Sequence, residues 1–104
     1  MKLVHTVLVA SLALLGFGAQ AATGEEIMTK SGCMACHTKD KKLVGPALKD
    51  IAAKYKGQDV IAKLLAKVRA GGPGVWGPIP MSPNPVEKIS DADLKTAVEW
   101  VLKL

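Results

Sequence analysis

The sequence predicts an all-α domain threaded by long loops. Apolar residues recur at three- and four-residue spacing in segments that begin near residues 23, 46, 59 and 90, the period of a helix with one buried face. No segment gives a convincing strand, and there is neither an internal repeat nor a low-complexity tract. The stretch 71–87 holds every proline but Pro46, together with four glycines, so it cannot be regular helix or central strand. At 104 residues the chain has room for one domain only.

Residues 1–21 read as a secretory leader. Lys2 gives a short positive start, an apolar run extends to Phe17, and Ala19-Gln20-Ala21 supplies small residues at the positions a signal peptidase reads. The apolar run is shorter than the roughly 20 residues needed to span a bilayer, which weighs against a membrane anchor. Cleavage is expected after Ala21, leaving residues 22–104 as the folded domain, outside the cytoplasm and most simply in a bacterial periplasm. Removing 21 of 104 residues leaves 83, and losing Lys2 lowers the formal charge from +5 to +4. His37 becomes the only histidine, and Tyr55, Trp76 and Trp100 the only aromatics. A core so small and so poor in aromatics needs a staple, a metal or a prosthetic group.

The elements follow in order. Thr23 and Glu26 have the form of a capping box, and a short helix follows to about Ser31, ended by Gly32. Residues 38–45 form a surface loop. Pro46 opens a second helix at its first position, with Leu48, Ile51, Ala52 and Tyr55 at helical spacing and Gly57 as its stop. Asp59 caps a third helix, whose face is Val60, Ile61, Leu64, Leu65 and Val68, and Gly71-Gly72-Pro73-Gly74 ends it. The proline-rich stretch carries Val75, Trp76, Ile79 and Met81, too apolar for a solvated loop, so it has something to cover. Ser90, with Asp93 three residues on, starts the last helix, whose stripe is Leu94, Ala97, Val98, Val101 and Leu102. The first helix is expected to cross the last, with Ile27 or Met28 against Trp100.

One motif carries the chemistry. Cys33-Met34-Ala35-Cys36-His37 is C-x-x-C-H, the signature of covalent haem attachment. Residues three and four apart share a helical face, so both thiols and the imidazole can meet one flat ligand. The thiols add across the two vinyl groups and the imidazole coordinates iron. A zinc site would want about four ligands of this kind, and only two cysteines and one histidine remain. A thioredoxin-type redox pair needs βαβ units, of which there are none.

The absence of another histidine from residues 22–104 excludes bis-histidine ligation and a second haem. Met28, Met34 and Met81 are the soft candidates for the second axial position. Met28 lies at core spacing, and Met34 sits inside the attachment loop. Met81 lies 44 residues after His37 in the apolar loop, and it is preferred over a lysine ligand or an open site.

The segments CMACH, VGPALKDIAAKY, GGPGVWGPIPMSPN and the closing EWVLKL occur in an order that resembles a small bacterial class I c-type cytochrome of the c-551/c-552 type. The resemblance covers residues 23–104. It implies a compact bundle of four or five short helices around one covalently bound haem. Cys33 and Cys36 would hold the thioethers, and His37 and Met81 would be the axial ligands. The Pro46 carbonyl would accept from the His37 imidazole, and Asn84 would touch the Met81 sulfur or brace its loop. Trp76 would donate to a haem propionate, with Lys67 as the basic residue nine positions before it. Ser82-Pro83 stands where many members have Pro-Pro.

The function expected is that of a single-electron carrier, not an enzyme, because two axial ligands leave no place for a substrate. The partners implied are periplasmic redox proteins: a nitrite reductase, a terminal oxidase, a bc-type complex or a copper protein. Lys39, Lys41, Lys42, Lys49, Lys54 and Lys56 make the first half basic and suited to acidic docking surfaces. No basic cluster is framed by aromatics, so nucleic acid is not an expected partner. A monomer is expected, without membrane insertion of the mature chain. A haem sensor with Met81 unbound and a haem-free thiol or metal protein are the competing classes.

Overall fold

The computed structural model describes residues 20–104, and the expected leader lies outside them but for its last two residues. Helix α1 spans Gly24–Lys30. Its first turn has free N–H groups, and Thr23 answers one: the Glu26 N–H donates to Thr23 Oγ1 at 3.2 Å, while that hydroxyl donates to Glu26 Oε1 at 3.1 Å. The cap therefore closes side chain to side chain. Gly32 follows the helix at φ 79°, a left-handed conformation that costs a residue without Cβ little. A single 3-10 turn, Cys33–Ala35, comes next.

Helix α2 spans Leu48–Lys54, and Pro46 is not its first residue. Ala47 occupies the cap position with extended ψ, and its carbonyl accepts the first helical bonds, from Asp50 and Ile51. The Pro46 carbonyl is turned away to the His37 ring, so it cannot also begin the helix. No side chain caps α2. The Thr38 and Lys39 carbonyls do so instead, accepting from the Leu48 and Lys49 N–H groups at 2.9 and 3.0 Å, which welds the attachment loop to the helix.

Helix α3 spans Ile61–Ala70. Asp59 does not cap it. The cap position is Val60, without a side-chain bond to the helix, and Val60 is buried where a carboxylate would be costly. After α3 the proline-rich stretch forms an antiparallel hairpin, β1 (Gly72–Gly74) and β2 (Gly77–Met81), with Gly72 paired to Met81 and Gly74 to Gly77. No strand is expected here from the sequence. Its prolines are tolerated because a two-stranded ribbon is all edge, so a missing N–H can face outward.

Helix α4, Asp91–Leu102, is capped by Ser90, whose Oγ accepts from the Asp93 N–H at 3.2 Å. It packs against α1, α2 and α3. Its buried face, Leu94, Ala97, Val98 and Val101, meets Ile27, Met28, Leu48 and Ile89 in one cluster. At roughly 1.5–3 kcal/mol for each large side chain fully buried, this is a modest core. Trp100 packs against this cluster, which holds Ile27 and Met28, and it also closes on α1 at Gly24, where a Cβ would run into the indole.

Candidate cofactor site

Cys33, Cys36 and His37 lie on one tight turn. The N–H groups of Cys36 and His37 both donate to the Cys33 carbonyl, at 3.2 and 3.1 Å. Cys36 is exposed and Cys33 half-buried, and burial pushes the Cys33 thiol up from its ordinary range, with nearby Lys88 acting weakly the other way. Both thiols are free in the chain.

The His37 ring is fixed from two sides. Nδ1 lies 2.8 Å from the Pro46 carbonyl oxygen. A carbonyl can only accept, so Nδ1 donates, and in the neutral ring this leaves the lone pair on Nε2. Behind the ring stands Gly45, where a Cβ would come within 2.5 Å of Cε1 and 2.9 Å of Nδ1. The Gly45 N–H donates to the Cys36 carbonyl at 2.8 Å, binding this strap to the attachment turn. The requirement for glycine at 45 was missed by sequence reasoning, although the adjacent Gly-Pro pair signals a close approach.

Met81 ends β2 and is half-buried. Its carbonyl passes so near the Gly71 backbone that a Cβ there would come within 2.5 Å of it, and Gly71 has a φ of 66°. Asn84, at 4% exposure the one buried polar residue among the described residues, braces the segment after Met81. Its Nδ2 donates to the carbonyls of Ser82 and Val68, at 3.0 and 3.2 Å, and its N–H is shared by those of Val68 and Arg69.

Lys67, expected among the cofactor-binding residues, is held by the backbone that follows α3. Its ammonium donates to the carbonyls of Gly71, Gly72 and Pro73 at 3.2, 2.7 and 2.8 Å. Three protons meet three acceptors, so Lys67 closes the end of α3 and anchors the hairpin. Trp76, at the hairpin tip, is partly exposed, and Lys54 lies over its ring at 5.7 Å. A pocket lined by Tyr55, Leu64, Lys67, Gly74, Val75 and Trp76 opens here.

The residues present fit a flat apolar iron ligand. The donor set is a neutral imidazole, a thioether and two thiols at attachment spacing. Leu43, Val44, Val75, Trp76 and Ile79 expose large apolar surface. The apolar residues of α3 are none of them fully buried by protein, as suits a surface shaped for something other than a neighbouring helix.

A family model described as cytochrome c matches residues 21–104. Cytochrome c-551 of Azotobacter vinelandii is 57% identical over 81 residues, which cover 77% of this chain and 95% of that one. Cytochrome c-552 of Nitrosomonas europaea is 49% identical over 96 residues, 91% of this chain and 90% of its own. The crystal structure of wild-type Nitrosomonas europaea cytochrome c552 matches with a TM-score of 0.69 at 48% identity, covering 76% of this chain and 96% of that one.

Proposed function

The chain belongs to the cytochrome c family, and from that premise we propose that it is a periplasmic electron carrier whose haem is ligated by His37 and Met81. It is a small electron-transfer haem protein with one covalently attached haem c. The bound haem supplies a one-electron iron couple, whose potential a thioether ligand raises.

The chain's own residues do the rest. Cys33 and Cys36 would hold the haem through their sulfurs, each S–H adding across one vinyl double bond with no oxidant required. His37 offers Nε2, held in place by the Pro46 carbonyl. Met81 offers a neutral sulfur from a segment pinned by Gly71 and Asn84. Trp76 would donate its indole N–H to a haem propionate, and Lys67 anchors the hairpin that carries both Trp76 and Met81. The leader 1–21 directs export and is removed. Redox partners with acidic surfaces, such as a nitrite reductase, a terminal oxidase, a bc-type complex or a copper protein, meet the lysine rim. Contacts of this kind are small and short-lived.

The observation that carries the reading is the His37–Pro46 bond at 2.8 Å, because it fixes the one tautomer able to coordinate through Nε2. The test is exposure of the holoprotein to carbon monoxide and cyanide. Slow or negligible binding, with a six-coordinate reduced spectrum, is expected. Rapid binding to the native protein would favour the sensor class instead.

A further inference from the structure

We propose that Arg69 is a positioning residue for the methionine loop, clamping the segment that follows Met81 so that the sulfur keeps its place. The proposal rests on the His37/Met81 reading above. Arg69 is the chain's only arginine, among thirteen lysines. It stands in the last turn of α3, and its side chain reaches across to the loop. Nη1 donates to the carbonyls of Asn84 and Ile89, at 3.1 and 2.7 Å, and Nη2 donates to Asp91 Oδ1 at 2.6 Å. One planar group thus holds both ends of the 84–89 turn and the first residue of α4. A lysine has three donors on one nitrogen where the guanidinium has five on a planar fork, so an ammonium cannot set one nitrogen on the Asn84 and Ile89 carbonyls and a second on Asp91.

The parts of this clamp differ in weight. The Asp91 side chain is 87% exposed against 22% for Arg69, so the ion pair is screened and contributes little. The two carbonyl bonds are sheltered and charge-assisted, and they do the holding. Asn84 and Gly71 pin the near end of the loop, next to Met81. Arg69 is the tie on its far end. Without it, the 85–89 turn keeps its own bonds from Lys88 and Ile89 to the Pro85 carbonyl and the packing of buried Ile89 in the core, and the residues between Asn84 and Ile89 can loosen as a local unit.

The test uses the ferric holoprotein. Loss of the thioether-to-iron charge-transfer absorption is followed in urea beside the far-ultraviolet circular dichroism, and amide exchange is measured at residues 82–89. Arg69→Gln is expected to raise the equilibrium constant for losing the absorption by about tenfold, with a smaller change for global unfolding and faster exchange at 84–89. Arg69→Lys is expected to recover part of this, and Asp91→Asn to stay near wild type. If Arg69→Gln does not accumulate as folded protein, Arg69→Lys serves the same comparison. An absorption curve unmoved by either variant, or one that shifts no more than global unfolding, overturns the clamp while leaving the ligand reading intact. A wild-type ferric protein without that absorption sinks the Met81 reading and the clamp's purpose with it.

Discussion

Gly24 and Trp100 meet where α1 crosses α4, with no space between them for a methyl group. Lys39 covers the other approach to the ring, 5.6 Å above it and 2.8 Å from the Glu25 carboxylate. Alanine is the better helix former by about 1 kcal/mol, yet its Cβ has nowhere to go against a rigid indole. Steric exclusion wins, and Gly24→Ala is expected to destabilise the holoprotein by about 1–3 kcal/mol in urea unfolding. Replacing Trp100 by Leu in the same chain should reduce that penalty. Additivity of the two substitutions would show that the crossing is not the cause.

Gly45→Ala probes the histidine cradle. Gly45 has an ordinary negative φ, so the penalty is steric and falls on the His37 ring. The ring must tilt away from the Pro46 carbonyl, weakening the bond that orients it. Partners of this kind typically matter 10- to 100-fold for metal affinity. The expected outcome is a raised potential, because a less strongly hydrogen-bonded imidazole is a poorer donor, together with earlier loss of His37 ligation in acid. A potential and acid transition equal to wild type would remove Gly45 from the site.

Met81→Ala should lower the potential by a sizeable part of the roughly 0.8 V range that axial ligands span. It should also convert slow binding of carbon monoxide into fast binding. The measurement pairs redox titration with stopped-flow mixing. An unchanged potential would mean that another group, a lysine included, holds that position.

Much of this was legible in the sequence for physical reasons. Thr23 and Ser90 cap helices because their hydroxyls reach a free N–H two or three residues on, a local interaction. The attachment turn and the α4 stripe are likewise local patterns. What escaped depends on partners distant in sequence. Pro46 looked like a helix opener until its carbonyl proved to be committed to His37. Asp59 had capping chemistry but lies one residue too early, since burial of Val60 sets where α3 begins. The hairpin was hidden because its prolines and glycines deny the usual strand signal. Arg69 touches residues fifteen to twenty-two positions away, and its only trace in the sequence is that it alone is not lysine.

Asp40 gives a pH-dependent check on the loop. The hydrogen bond from Lys49, and then the Lys49 charge, hold its carboxyl below the ordinary aspartate value of 3.8. A depressed folded value means that the stabilisation is fully present above that ordinary value and is lost as the pH falls through the lower, folded one. Both side chains are well exposed, so the global effect is small. Titration of the Asp40 carboxyl by nuclear magnetic resonance should show a midpoint that rises toward 3.8 in Lys49→Met. A midpoint the variant leaves alone would assign the shift to other charges.

The lysine rim should steer association through some of its members and not others. Lys39 is tied to Glu25 at 2.8 Å and Lys49 to Asp40 at 2.6 Å. Lys41, Lys42 and Lys56 have no ion pair among the described residues, and Lys42 adjoins Leu43 and Val44, which are 54% and 47% exposed. A cation beside bare apolar surface is suited to bringing an acidic partner onto that surface. Lys41→Gln combined with Lys42→Gln should therefore slow electron exchange with an acidic redox protein several-fold at low ionic strength. The difference should fade at high salt, where screening acts over only a few ångströms. Lys49→Gln removes one positive charge where the double variant removes two, so it should act more weakly than that variant. Stopped-flow rates across a salt series decide the matter: equal slopes for the wild type and the double variant would place the docking surface elsewhere.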